Sequence, residues 1–200
     1  MHSKTLRHSA RLLKSVPAGA LAALAVTAAH ADVVYTEGAD AGELLATAQP
    51  VLVVGTVEAI RGSTGTGDRA DLFAVYLTAG TAFSASTEDS SIAWNNFDTV
   101  LYLFSAVGTE LAVNDDDIGS QSLLSYLPTL SGLYYLGITG ASYEPTFTDD
   151  ALSGWASLTN EFGAYEIRLE GAMGIPEPAS LLLAGIALAA AGAVRRRVTR

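Results

Sequence analysis

Between Asp32 and Gly174 the side chains equipped for chemistry are carboxylates, hydroxyls and three arginines, Arg61, Arg69 and Arg168. All three histidines (His2, His8, His30) and both lysines (Lys4, Lys14) precede that segment, and the chain has no cysteine. Ser-His and Cys-His nucleophilic pairs and lysine Schiff bases are therefore excluded there. The usual zinc ligands are missing as well. Twenty of the 21 acids fall in the same segment, so against three arginines its formal charge is −17. Such a surface repels phosphate backbones and anionic lipid and favours divalent cations or basic partners, which argues against nucleic-acid binding.

Two acidic groupings stand out by spacing. Asp68 and Asp71 form a D-x-x-D pair, and Asn114-Asp115-Asp116-Asp117-Ile118-Gly119 is the densest run of acids. Calcium takes six to eight oxygens at a site, so clustered carboxylates are its natural ligands. The second run is not an EF-hand loop, because the required alternation and distal Glu are missing. Three consecutive aspartates repel one another and need a cation or full solvation. A hairpin or inter-strand loop built on Asn and Asp turn chemistry accounts for them as well, and is the preferred reading. Asp98 could approach this loop across neighbouring strands. Paired carboxylates also serve glycosidases, which hold two acids roughly 5 to 10 Å apart, but no spacing here singles out such a pair. Trp94 and Trp155 fit either a sugar-stacking platform or covers for the end of a sandwich, the latter being preferred.

The elements that must position these groups read as short strands punctuated by Gly, Asp and Ser. Runs at Val51–Val57, Leu72–Leu77, Ala82–Ser86, Val100–Phe104, Glu110–Val113, Leu123–Leu127, Leu133–Ile138 and Ala164–Leu169 supply about eight. In the last, Tyr165, Ile167 and Leu169 alternate with Ala164, Glu166 and Arg168, the period of a half-buried strand. Thr78-Ala79-Gly80-Thr81 predicts a tight turn. Two stretches, 84–98 and 141–163, read as longer loops. The fold class predicted is all-β, an antiparallel jelly-roll-like sandwich of residues 32–174. Without disulfides such a domain must hold by core packing, by metal, or by both.

The two ends are not domain material. Lys4, Arg7, Arg11 and Lys14 precede an apolar stretch from Val16 to Thr27, closed by Ala29-His30-Ala31. That is the pattern of a secretory signal peptide over residues 1–31, cut after Ala31 by signal peptidase with Ala29 and Ala31 as the small residues of the site. From residue 175 the character changes again. Pro176-Glu177-Pro178 leads into sixteen residues, Ala179 to Val194, with no charge and Ser180 as the one polar side chain, and Arg195-Arg196-Arg197 ends the run. Sixteen helical residues give about 24 Å, a short transmembrane helix that flanking residues and snorkelling arginines extend. The basic end stays cytoplasmic, which places the acidic domain outside.

The order Pro-Glu-Pro, apolar helix, arginine cluster resembles the PEP-CTERM sorting signal of bacterial surface and matrix proteins, over residues 175–200. The resemblance implies recognition by an exosortase and cleavage near the Pro-Glu-Pro. Residues from about 40 to 170 resemble the bacterial pre-peptidase C-terminal (PPC) domain, a calcium-associated β-sandwich. The resemblance is carried by Leu45–Pro50, Gly67-Asp68-Arg69-Ala70-Asp71-Leu72-Phe73, Leu77–Thr81, Phe97–Phe104, Gly108–Ala112, Asn114–Asp116, Ser131–Leu136 and Tyr165–Leu169. It implies calcium ligands at Asp68 and Asp71. The acidic linker E-P-N-D maps to Asp40 and Glu43, with Ala41 and Gly42 in place of Pro and Asn, so one customary ligand is absent.

These readings converge on an exported cell-surface or extracellular-matrix protein, transiently anchored in the membrane. Its sandwich is expected to be non-catalytic and either calcium-stabilised, with metal ligands at Asp40, Glu43, Asp68 and Asp71 and, secondarily, at Asp115, Asp116 and Asp117, or held by core packing alone, with Asp68 and Asp71 starting a strand as solvated charge. Expected partners are signal peptidase, exosortase, the membrane and exopolysaccharide. The alternative is a polysaccharide-modifying enzyme that uses paired carboxylates.

Overall fold

A computed structural model describes residues 33–87, 97–156 and 161–175. The signal-peptide segment, Trp94, and the tail from Pro176 through the arginine cluster lie outside the described residues. Thirteen strands are found among the described ones. They are β1 (Val33–Thr36), β2 (Gln49–Pro50), β3 (Val57–Ser63), β4 (Ala70–Leu77), β5 (Phe83–Ser86), β6 (Thr99–Phe104) and β7 (Glu110–Asn114). They continue with β8 (Leu123–Tyr126), β9 (Gly132–Gly140), β10 (Glu144–Thr148), β11 (Ala151–Ala156), β12 (Ala164–Glu170) and β13 (Ala172–Met173).

Two sheets form the sandwich. One runs β1-β3-β12-β5-β8; the other runs β13-β4-β9-β6-β7, with β2 also paired to β4. Pairing is antiparallel except for β1 with β3 and β2 with β4. Alternation explains the layering. In β4 and β6 the residues Phe73, Val75, Leu77, Leu101 and Leu103 enter the core between the sheets, where they meet Phe83, Leu124, Tyr165 and Ile167. Their alternates Leu72, Val100, Tyr102 and Phe104 point to the other face and are buried too. What covers that outer face is a hairpin of β10 and β11, which lays Leu152 and Trp155 on it.

That hairpin corrects the expectation of a long loop over 141–163. Its strands are short and interrupted by Pro145 and Gly154, so they lack a clean period of two. The run Val51–Val57 is also corrected: only Val57 is in a strand, and residues 51–56 cross irregularly between the sheets. Their polar backbone is satisfied outside a regular ladder, as when the Val51 amide donates to the Ala74 carbonyl at 3.0 Å. The turn at Thr78–Thr81 forms as expected, closed by a Thr81 amide to Thr78 carbonyl bond of 3.1 Å with Gly80 at φ +75°.

Register places the two acidic groupings at one end of the sandwich. Ala70 pairs with Thr139 and Thr99 with Gly140, so the start of β4, after Asp68, and the start of β6, after Asp98, are level.

Candidate metal centre

The loop after β1 is held back against β3. The Glu37 amide donates to the Arg61 carbonyl (2.8 Å), and the Glu37 carboxylate accepts from the amides of Ala41 (2.9 Å) and Ser63 (3.1 Å). Asp40 closes a local turn by accepting from the Gly42 amide at 3.1 Å. From the other sheet, Asp71 enters at the second residue of β4 and is completely buried, at 0% exposure. One of its oxygens, Oδ2, accepts the Tyr165 hydroxyl at 2.5 Å. The other, Oδ1, is buried and has no hydrogen-bond partner among the described residues, and the same is true of Asp68 Oδ1.

Carboxylate oxygens of Glu37, Asp40 and Asp71 lie within 4.8 Å of one another. Asp68 stands close enough to Asp40, Glu37 and Glu43 for their charges to act on it. Burial, reinforced by these neighbouring acids, pushes Asp71 up to about 8, against the opposing bond from Tyr165. Asp68 is pushed up to about 7 by burial and by the charges of Asp40, Glu37 and Glu43. Gly62 makes room for all this. A β-carbon there would overlap the Tyr165 hydroxyl and the Glu37 carboxylate, so only glycine lets β3 pass so close.

The structure thus brings Asp40, Asp68 and Asp71 together and adds Glu37, which sequence reasoning did not single out. Its signal was present: Glu37-Gly38-Ala39-Asp40 has the E-x-x-D order, three residues before the Asp40–Glu43 placement of the linker. Glu43 stands at the margin, its carboxylate accepting from the Arg69 amide (3.1 Å) and the Tyr143 hydroxyl (3.3 Å). The donor set is all oxygen and heavily anionic. It suits a hard divalent cation such as calcium, and two buried oxygens without partners are what an ion would satisfy.

The second grouping has Asp98, Asp115 and Asp116 with oxygens within 4.8 Å of one another; Asp117 is outside it. Asp98 is partly buried, whereas Asp115 and Asp116 are exposed. Burial first, then neighbouring acids, raise Asp98 and Asp115 above the usual carboxylate range. The loop is built from turn chemistry and joins β7 of one sheet to β8 of the other. The Asp117 amide donates to the Gln121 carbonyl (2.9 Å), Asn114 Oδ1 accepts the Leu123 amide (2.8 Å), and Gly119 takes φ +66°.

Trp155 is a cover. Its ring stacks on Tyr143 at 5.7 Å and stands edge-on to Tyr102 at 5.5 Å, while its Nε1 donates to the Glu43 carbonyl at 2.7 Å. It closes the outer face of the six-stranded sheet rather than an end of the sandwich.

Comparison with known proteins gives three findings. No curated protein matches the chain. A solved structure similar to it is the pre-peptidase C-terminal domain of collagenase from Bacillus anthracis, at 13% identity and TM-score 0.38, covering 70% of this chain and 97% of that one. Residues 174–197 match the PEP-CTERM protein-sorting motif, so an all-β sandwich here carries, directly behind its last strand, a motif that implies exosortase processing and membrane association.

Proposed function

We propose that this chain is an exosortase-sorted protein of the cell surface or extracellular matrix whose sandwich is a non-catalytic binding or structural module. In this reading calcium is held by Glu37, Asp40, Asp68 and Asp71. The observation that supports the sorting is the motif over 174–197. The metal reading is supported by Asp71, wholly buried, with one oxygen oriented by Tyr165, the other without a partner among the described residues, and its carboxylate within 4.8 Å of those of Glu37 and Asp40. Leaving a buried acid uncompensated is costly, and a divalent ion turns four mutually repelling carboxylates into ligands. The apolar segment after Pro178 then holds the protein in the membrane until the enzyme cuts.

Two experiments test it. In the native host the chain is expected to shorten from its C-terminus by mass spectrometry and to stay full-length when the exosortase is deleted; identical products in both strains refute the sorting. Calcium at a hundred times its Kd is expected to stabilise the domain by about 2.7 kcal/mol, reversed by EDTA. An unchanged melting midpoint removes calcium from the account. A screen against the host's exopolysaccharide addresses the catalytic alternative, and turnover lost on a single Asp or Glu substitution would overturn the non-catalytic reading.

A further inference from the structure

The described chain begins and ends at one place. The Val33 amide donates to the Thr56 carbonyl at 3.2 Å, and the Gly174 amide donates to the adjacent Gly55 carbonyl at 3.0 Å. The next residue, Ile175, is also tied down, its amide donating to the Val51 carbonyl at 2.8 Å. Gly174 is pressed so closely against Val53 that a β-carbon would overlap it. Both ends therefore leave from the edge formed by β1, β2, β13 and the crossing segment 51–56.

This edge differs from the rest of the surface. Residues 33–36, 44–57, 72–77 and 171–175 contain no charged side chain, in a segment whose formal charge is −17, although Glu58 and Glu170 border the β1 side beside Val34. Leu52, Val54, Met173 and Tyr76 are nonetheless exposed there, Val54 at 62%. Met173 and Tyr76 are register partners on β13 and β4. The acidic centres lie at the far end of the strands: Val57, next to the exit, starts β3, and Ser63, beside Glu37, ends it.

Chain length then limits where the domain can go. Between Ile175 and the first residue of the apolar run, Ala179, stand three residues, so the two are separated by at most about 14 Å. We propose that this uncharged apolar edge rests on the lipid surface that holds the tail, with the acidic end turned away. The inference rests on the tail's insertion proposed above. Exposed apolar side chains with a tyrosine suit the interfacial zone of a bilayer. A tether this short converts a contact too weak to persist between free partners into an intramolecular one. Acidic charge keeps the other faces off the membrane.

The test uses the chain from Asp32 to Arg200, without the signal-peptide segment and with the sorting tail intact, in phosphatidylcholine vesicles. Because the chain lacks cysteine, Val54→Cys and Ile118→Cys place one environment-sensitive dye each at exposed apolar positions near the exit and at the acidic end (Ile118 is 68% exposed). Flotation after a carbonate wash reports insertion; quenching by nitroxide-labelled headgroups reports proximity. The expected result is co-flotation of both variants, with quenching at position 54 stronger than at 118 by roughly twofold or more. Failure to float overturns the tail reading and this inference together. Co-flotation with equal quenching, or more at 118, overturns this inference alone. Dye signals at position 54 that track protein density at constant lipid would assign the edge to a second copy and also overturn it.

Discussion

Asp71 carries a conflict that a proton relieves or, in the proposed reading, a bound cation. It is buried among acids, and its folded pKa of about 8 lies well above the ordinary carboxylate value near 4. The sign follows from linkage: between those values the folded state binds the extra proton, so stability falls as pH rises. In EDTA the melting temperature is expected to drop from about pH 4 to about pH 8, and saturating calcium is expected to flatten or reverse the decline. Thermal melts across that range, with and without the ion, check it. Asp71→Asn separates the two roles, because the amide keeps an acceptor for Tyr165 and loses the charge. In EDTA at pH 8 it is expected to be more stable than the wild type by about 1–3 kcal/mol. In calcium it should lose most of the metal-dependent gain. A variant that is destabilised equally in both conditions would show Asp71 to be a packing residue.

The β10–β11 hairpin shows how an element can be indispensable without belonging to either sheet. Its contribution is the lid on Leu72, Val100, Tyr102 and Phe104, with Trp155 at the centre. The tryptophan also ties the lid to the metal loop, since its Nε1 bonds the Glu43 carbonyl and its stacking partner Tyr143 bonds the Glu43 carboxylate. Trp155→Ala is expected to cost about 2–4 kcal/mol, somewhat under the full-burial range because the residue is partly buried. Chemical denaturation measures the loss. Hydrogen exchange should rise first in β10, β11 and residues 41–48, before the sandwich itself opens.

Charge is distributed unevenly over the described residues. The formal charge of −17 between Asp32 and Gly174 is gathered in part into two carboxylate groups at one end, while residues 33–36, 51–57 and 171–175, where the described chain begins and ends, carry no charged side chain. Self-repulsion of that size destabilises the compact state and is screened by salt, the Debye length falling from about 10 Å at 0.1 M to about 3 Å at 1 M. Raising sodium chloride over that range is therefore expected to increase the melting temperature of the metal-free protein. In saturating calcium the increase should be smaller, because the ion has already neutralised part of the charge. Equal salt responses in the two conditions would count against metal binding at the acidic end.

Much of this was readable before any coordinates. Short apolar runs bounded by turn residues, and in β12 a period of two, are local properties, so the strands β4 to β9 and β12 and the turn at Gly80 follow from the residues that form them. The absence of His, Cys and Lys from the domain, the acidic excess, and the ordered Pro-Glu-Pro, apolar and arginine blocks depend on composition and order, which folding does not change. What the sequence leaves undetermined is which distant groups meet. The β10–β11 hairpin lacks alternation because it packs as a lid, and Val51–Val57 has strand composition while serving as a crossing. Glu37 joins Asp71 across 34 positions because β1 runs parallel to β3 and carries its following loop to the start of β4. Burial of Asp71, the gap left by Gly62, and the convergence of both ends on Gly55 and Thr56 arise from long-range packing. No neighbour in the chain specifies them, and the tertiary structure alone decides them.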